Sequence, residues 1–245
     1  MSQGLEILFR RLHAMGALAE EDAVALRCLP FRSVQVSKGE EIVPEGGLST
    51  SCCLVVGGLV HRSKALPDGQ RQIFSLHLPG DIPDLHGLHL PMMDHSLVAT
   101  ARCEVAFVPH EAVQTALDRS AALTDLLWRD TLIDAAAFRA WMLMIGQAEV
   151  PVRMAHLFCE LYERYAAVGL VADGGYPLPI SQGDLADMLG TSAVHANRTL
   201  QDLRGRKLLT FSDGWVRIID LPALVKFGLF DGSYLHIGRP AKKIS

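Results

Sequence analysis

Two periodicities divide the chain. Across residues 31–109, short apolar or alternating runs (FRSVQV, EEIV, CCLVV, LVHRSKAL, RQIFSLHL) are separated by turn formers at Lys38-Gly39, Gly46-Gly47, Gly57-Gly58, Pro67-Asp68-Gly69 and Pro79-Gly80-Asp81. Many short strands at about 8 to 12 residue spacing, punctuated by glycine, predict an antiparallel sandwich or jelly roll. The run TARCEVAFVPH supplies a closing strand. Beyond Pro109 the period becomes helical: residues 111–145 contain no proline or glycine, and apolar residues recur at helical spacing.

Within residues 123–145 that helix is apolar on most of its circumference, so it must bury more than one face. A central core helix satisfies this, and so does a helix packed both on its own roll and on its twin across a two-fold axis. The second reading is the one carried forward. It makes Leu123, Leu127, Phe138, Trp141 and Met142 the expected dimer contacts, with Gly146 as stop and hinge. A further helix, PVRMAHLFCELYERYAAVG, opens on proline and closes near Gly169, and residues 174–179 then break the pattern.

Residues 180–209, ISQGDLADMLGTSAVHANRTLQDLRGRKLL, carry the densest information. Ser181 can cap a short helix, Leu185, Ala186 and Leu189 give it an apolar stripe, and Gly190 suits the left-handed residue of a sharp turn. Ser192 can cap a second helix that turns Ala196, Leu200 and Leu203 inward. Its outer face then holds Ala193, Val194, Asn197, Arg198 and Gln201, with His195 on the flank. Such a face suits a major groove: arginine pairs with guanine, asparagine or glutamine with adenine, and alanine or valine touches a thymine methyl. Arg204, Arg206 and Lys207 follow, and LLTFSDGWVRII reads as two strands around a Ser212-Asp213-Gly214 turn, a wing. An ordinary helical hairpin with a solvated face would not need the two caps, the spaced glycine and the strand pair together.

Composition adds limits. The 245 residues are 49% hydrophobic and 20% charged with a formal net charge of −4, an ordinary globular balance with no global basic signature. A nucleic-acid reader needs only a local basic face, so this excludes little. The N-terminus lacks a signal-peptide core and no stretch reaches the roughly 18 apolar residues that span a bilayer, so a cytoplasmic protein with no membrane partner is expected. Cys28, Cys52, Cys53, Cys103 and Cys159 have no zinc or iron–sulfur spacing, and free thiols are expected. Cys52 and Cys53 should point to opposite faces of a strand and pack inside.

These features together resemble the Crp/Fnr superfamily of bacterial transcription regulators over nearly the full chain. LADMLGTSAVHANRTLQDLRGRKLL resembles its DNA-binding signature, and the glycines at Gly39, Gly46, Gly57, Gly69 and Gly80 followed by a long helix occur in its order. The resemblance implies an α+β protein: an N-terminal antiparallel β-roll of cyclic-nucleotide-binding type (residues 1–110), a dimerisation helix (111–146) and a C-terminal winged helix-turn-helix (147–245). It implies a homodimer on an inverted-repeat operator, with RNA polymerase as a further partner. Arg198 takes the place of a base-reading arginine, and Ser192 and His195 lie where the family touches phosphates or base edges, with Ser181 and Gln182 at the entry of the first helix. Ala193 and Val194 depart from the family's charged base readers.

Members of the family that bind cyclic nucleotides carry a glutamate for the ribose and an arginine for the cyclic phosphate. The corresponding stretch, residues 80–101, has no arginine and places His95-Ser96 where an Arg-Ser-like pair would stand. Gly80, Asp81, Asp84, Leu85, His95 and Ser96 are the expected effector-pocket residues. A neutral imidazole is a poor substitute for a guanidinium facing a phosphate, and nearby Asp84 and Asp94 would repel it, so neither cyclic AMP nor cyclic GMP is expected as effector. With no cysteine cluster upstream of Cys28, an iron–sulfur cluster is not expected either. His86, His89 and His95 make a ligand-type grouping, for which solvated loop histidines are the plain alternative to metal or haem sensing. A ligand-binding module without DNA, or a cupin-type enzyme with a metal at His86 and His89, would dispense with the winged helix-turn-helix, and no Gly-x-Ser-x-Gly motif is present.

Overall fold

The computed structural model describes residues 3–16, 18–90 and 92–238; the ends of the outer expected domains, residues 1–2 and 239–245, lie outside them. Helices α1 (Gln3–Met15) and α2 (Glu20–Arg27) precede strands β1 (Arg32–Val36), β2 (Glu41–Val43), β3 (Ser51–Gly57), β4 (Val60–Ala65), β5 (Arg71–His77), β6 (Ser96–Ala99) and β7 (Cys103–Pro109). Two antiparallel sheets, β1-β7-β3 and β2-β6-β4-β5, face each other as the roll. Val36, Val43, Cys53, Val55, Val60, Leu97 and Val105 fill the space between them. The opposite side of β3 buries Cys52, Leu54 and Val56 under α1 and the later helices. Adjacent cysteines thus enter different cores, as strand alternation requires. Burial pushes both thiols well above their ordinary pKa, which suits inert packing.

The apolar run after Pro109 forms two helices, α3 (His110–Arg119) and α4 (Ala121–Gln147). The break falls at Ser120, which is extended (φ −140°, ψ 105°) and whose Oγ accepts the Leu123 N–H at 3.1 Å. Serine favours this cap because its hydroxyl satisfies an otherwise orphaned helix donor. Gly146 is not the stop: α4 runs one residue past it and ends at the extended Ala148.

Helix α5 (Val150–Ala167) follows, then strand β8 (Gly175–Pro177), α6 (Gln182–Leu189), α7 (Ala193–Gly205), β9 (Leu209–Ser212), β10 (Trp215–Ile218) and α8 (Leu221–Phe227). The wing is a three-stranded sheet in the order β8-β10-β9, one strand more than the sequence pattern predicts. Met154, Phe158, Leu185, Leu189, Leu200 and Leu203 share one core with Ile73 and Leu76 of β5, so the helical region is packed directly on the roll. No helix among the described residues is long and apolar enough to cross a membrane.

Candidate nucleic-acid interface and sensor cavity

Local chemistry shapes the α6–α7 unit. Ser181 Oγ accepts the Asp184 N–H at 3.0 Å while Asp184 Oδ2 accepts the Ser181 N–H at 3.2 Å, a reciprocal capping box. Gly190 closes α6 in the left-handed region (φ 59°, ψ 48°), where a side chain would be strained. Ser192 Oγ then accepts the His195 N–H at 3.2 Å and starts α7. Ala196, Thr199, Leu200 and Leu203 turn inward. Ala193, Val194, His195, Arg198 and Gln201 are exposed and Asn197 is half-buried, with Val194 82% exposed at the crest of the first turn. Gln182 is exposed at the start of α6, and Ser181 is half-buried with its hydroxyl committed to the cap.

Cationic side chains frame this surface. Arg204 and Lys207 are exposed, and Arg206 Nε donates to Asp202 Oδ2 at 2.8 Å. Arg217, exposed on β10, extends the set into the wing. Its only sequence signal is its outward place in the alternation of WVRI, beside the buried Val216.

Helix α4 presents two unlike faces, and this corrects part of the expected seam. Leu123, Leu127 and Trp141 turn into the protomer's own core. Trp141 Nε1 also donates to the buried Glu160 at 2.8 Å, which holds the indole in place. These three therefore cannot meet a twin. Phe138 and Met142 are exposed, as are Trp128 (59%), Leu132 (50%) and Leu143. At 3.6 residues per turn these five fall within an arc of about 140° on one side of the helix. The broad apolar circumference seen in the sequence is the sum of two stripes, one satisfied inside the chain and one left bare.

Between the roll and α4 lies a cavity of about 290 Å³, bounded by β4, β5, the turn at Leu85–Leu88, the entry to β6 and α4. Leu85 and His95 line it as expected, but four other expected residues are occupied elsewhere. Gly80 (φ +92°) lies where a Cβ would come within 2.9 Å of Ile7 Cγ2, so its role is to let α1 approach. Asp81 reaches the cavity wall, yet it bridges Arg11 of α1 (2.7 Å) and Arg164 of α5 (2.8 Å). Burial alone would raise its pKa, but those guanidiniums overrule it and hold the carboxyl well below the usual range. Asp84 is fully buried, accepts the Cys53 N–H at 2.6 Å, and is pushed up to about 6 by its burial. Ser96 Oγ donates to Glu41 at 2.7 Å and accepts the Glu45 N–H at 3.1 Å, away from the cavity.

One cavity residue was invisible to motif reading. Arg62 of β4 enters where residues 80–101 supply no arginine. Its guanidinium is already engaged, donating to the Pro83 carbonyl and to Asp134 Oδ2 of α4 at 2.5 Å. Beside it His86, Asp94 and His95 each place one ligand-type atom within 4.8 Å of the others. His89 is exposed and outside this group, which corrects the expected histidine trio. Burial, with a smaller effect of Arg62, lowers the pKa of His86 to about 4 and also lowers that of His95. The His95 ring meets Phe74 edge-on at 5.6 Å, and Phe74 meets Phe138 of α4 at 6.1 Å.

Residues 152–227 match the profile of the Crp-like helix-turn-helix domain, and residues 33–120 match that of the cyclic nucleotide-binding domain. The chain is similar to the nitrogen fixation regulation protein FixK of Bradyrhizobium diazoefficiens, at 28% identity over 197 residues covering 80% of this chain and 81% of that protein. It is also similar to the protein of the same name from Rhizobium meliloti, at 32% identity over 187 residues covering 75% and 79%. Among solved structures, FixK2 from Bradyrhizobium japonicum superposes with a TM-score of 0.74 at 26% identity, covering 81% of this chain and 98% of that one.

Proposed function

We propose, since this chain belongs to the Crp/Fnr superfamily of transcription regulators, that it reads an inverted-repeat operator in double-stranded DNA as a homodimer. It is a regulator and not an enzyme, as its relatives are. The observation that carries the operator reading is the doubly capped α6–α7 unit, with Val194, Asn197, Arg198 and Gln201 along the outer side of α7. Laid in a major groove, Arg198 can pair with guanine, Asn197 and Gln201 with adenine, and Val194 can touch a thymine methyl. Ala193 stands beside Val194 on this outer side, while Ser192 and His195 at the helix entry, with Ser181 and Gln182 of α6, meet phosphates or base edges in this reading. Residues 1–110 act as the sensor, 111–146 as the dimerisation segment and 147–245 as the DNA-binding part.

The bare stripe Trp128, Leu132, Phe138, Met142 and Leu143, with Arg139 among them, supports the two-fold seam, because five large apolar side chains exposed on one side of a helix are costly in water. RNA polymerase is the further partner of a regulator so bound. Arg62 is engaged by Asp134 and a backbone carbonyl and Arg11 by Asp81 and Asp130, which supports operator binding without cyclic AMP or cyclic GMP. Selection of bound sequences from random duplexes tests this reading. A symmetric site with half-sites about one helical turn apart is expected, and its recovery should not change when either nucleotide is added. Enrichment of a single, asymmetric half-site would sink the dimeric reading.

A further inference from the structure

The geometry points to a site for a divalent first-row transition metal, formed by His86 and His95 with Asp94 as the support of His95, at the mouth of the cavity between the roll and α4. It is independent of which DNA sequence the protein reads, since it concerns only the protein and the ion.

The first observation is a pair of orphaned ring nitrogens. His95 Nε2 and His86 Nε2 are both buried and neither has a hydrogen-bond partner. His95 itself is only 6% exposed, and the two rings lie 5.4 Å apart. Buried polar atoms are normally paired, so two unpaired nitrogens side by side call for a specific occupant. The second observation is how His95 is held. Its Nδ1 lies 2.6 Å from Asp94 Oδ1, a carboxylate that can only accept, so the proton sits on Nδ1 and the lone pair on Nε2. A carboxylate that fixes the tautomer of a ligating histidine is the usual support around a metal-binding imidazole. Among the described residues this is the one group of histidines, cysteines and carboxylates with such mutual spacing.

The surrounding charge selects the sign of the ligand. The cavity wall carries Asp81, Asp94, Asp130 and Asp134 against Arg11 and Arg62. Both arginines are already paired with these aspartates. Asp81, Asp130 and Asp134 are taken up by Arg11, Arg62 and Arg164, so the carboxylate left beside the two rings is that of Asp94, which favours a cation over a phosphate. Two imidazole nitrogens, one of them held by Asp94, suit Zn²⁺, Fe²⁺ or Co²⁺ and not the hard cations Mg²⁺ and Ca²⁺, which prefer all-oxygen shells.

The test uses the full-length protein after removal of metal by a chelator. Zn²⁺ is titrated in competition with a chromophoric chelator, and Co²⁺ is followed by its visible absorption. One ion per chain is expected at micromolar affinity or tighter, with a cobalt spectrum free of thiolate charge transfer. His86→Gln and Asp94→Asn should each weaken binding, the histidine change by about 100-fold or more and the aspartate change by about 10- to 100-fold. His89→Gln should bind as the parent does. Asp94 has a mostly exposed side chain, so its variant probes the site without opening the core. Undiminished binding in folded His86→Gln, an absence of stoichiometric binding in the parent, or a thiolate band that moves the ion to a cysteine would each overturn the assignment.

Discussion

The α6–α7 unit and the cavity under α4 are built in opposite ways. The proposed base- and backbone-facing side chains of the first all come from residues 181–201, one local stretch whose caps and turn set its own geometry. The second gathers Arg62 from β4, Phe74 from β5, His86 from a turn, His95 from the entry to β6 and Asp134 from α4. Substitutions on the first should act nearly one at a time, because exposed positions on a helix share few partners. Groups around the cavity share partners: Asp134 holds Arg62, and Asp81 holds both Arg11 and Arg164. A change there should spread to α1, α4 and α5.

The largest expected effect lies on the element between the two regions. Leu132→Asp places an unpaired charge in the proposed seam and should cost about 3–5 kcal/mol of association, enough to give monomers that lose operator binding. Leu127→Asp, by contrast, strikes the protomer's own core, so it should lose helical signal rather than only its partner. Light scattering with circular dichroism separates the two; folded dimers of Leu132→Asp would place the seam elsewhere.

Next comes a pH effect confined to the roll. The folded-state pKa of Asp84, about 6, lies above its ordinary 3.8. The folded protein therefore holds this proton more tightly, and the associated stability is complete below about 3.8 and lost as pH rises through 6. Asp84→Asn keeps an oxygen to accept the Cys53 N–H and removes the ionisation, so its stability relative to the parent should rise across that window, by up to about 3 kcal/mol above it. Urea unfolding at pH 4.5 and pH 8 measures the difference. A gain equal at both values would remove burial of the charge as its cause.

On the α7 side, Arg198→Ala should cost about 1–3 kcal/mol of operator affinity and relax one base pair per half-site, with no change in thermal stability. Mobility shifts on an operator and its single-base variants would read this; full retained selectivity removes Arg198 from the reading set.

The smallest effect concerns the polar bridge between the regions. Arg71 of β5 pairs with Asp184 and Asp187 of α6, each at 2.7 Å, and is partly exposed. Solvent screening limits it to about 0.2–1 kcal/mol, so Arg71→Ala should lower the melting temperature only slightly. If operator affinity fell by orders of magnitude instead, the two regions would be more strongly coupled than this comparison holds.

Legibility follows the same division. The caps at Ser181 and Ser192 and the turn at Gly190 could be read directly, because each acts within four residues of itself. The break at Ser120 carried the same serine signal but was masked by an unbroken apolar period on both sides. Strand β8, three residues long, is too short to show alternation and exists through its pairing with β10.

What the amino-acid order alone determined is therefore the set of local structures: the glycine-punctuated roll strands, the capped helix pair, the hairpin wing and a helix with more apolar surface than one face can hold. Only the tertiary structure decided which stripe of α4 is spent inside the chain, that Asp81 and Asp84 are tied into the framework, and that Arg62 and Asp134, 72 positions apart, meet across the cavity. Backbone caps and turns are satisfied by near neighbours, whereas buried charges and ring nitrogens find partners only where distant elements pack together.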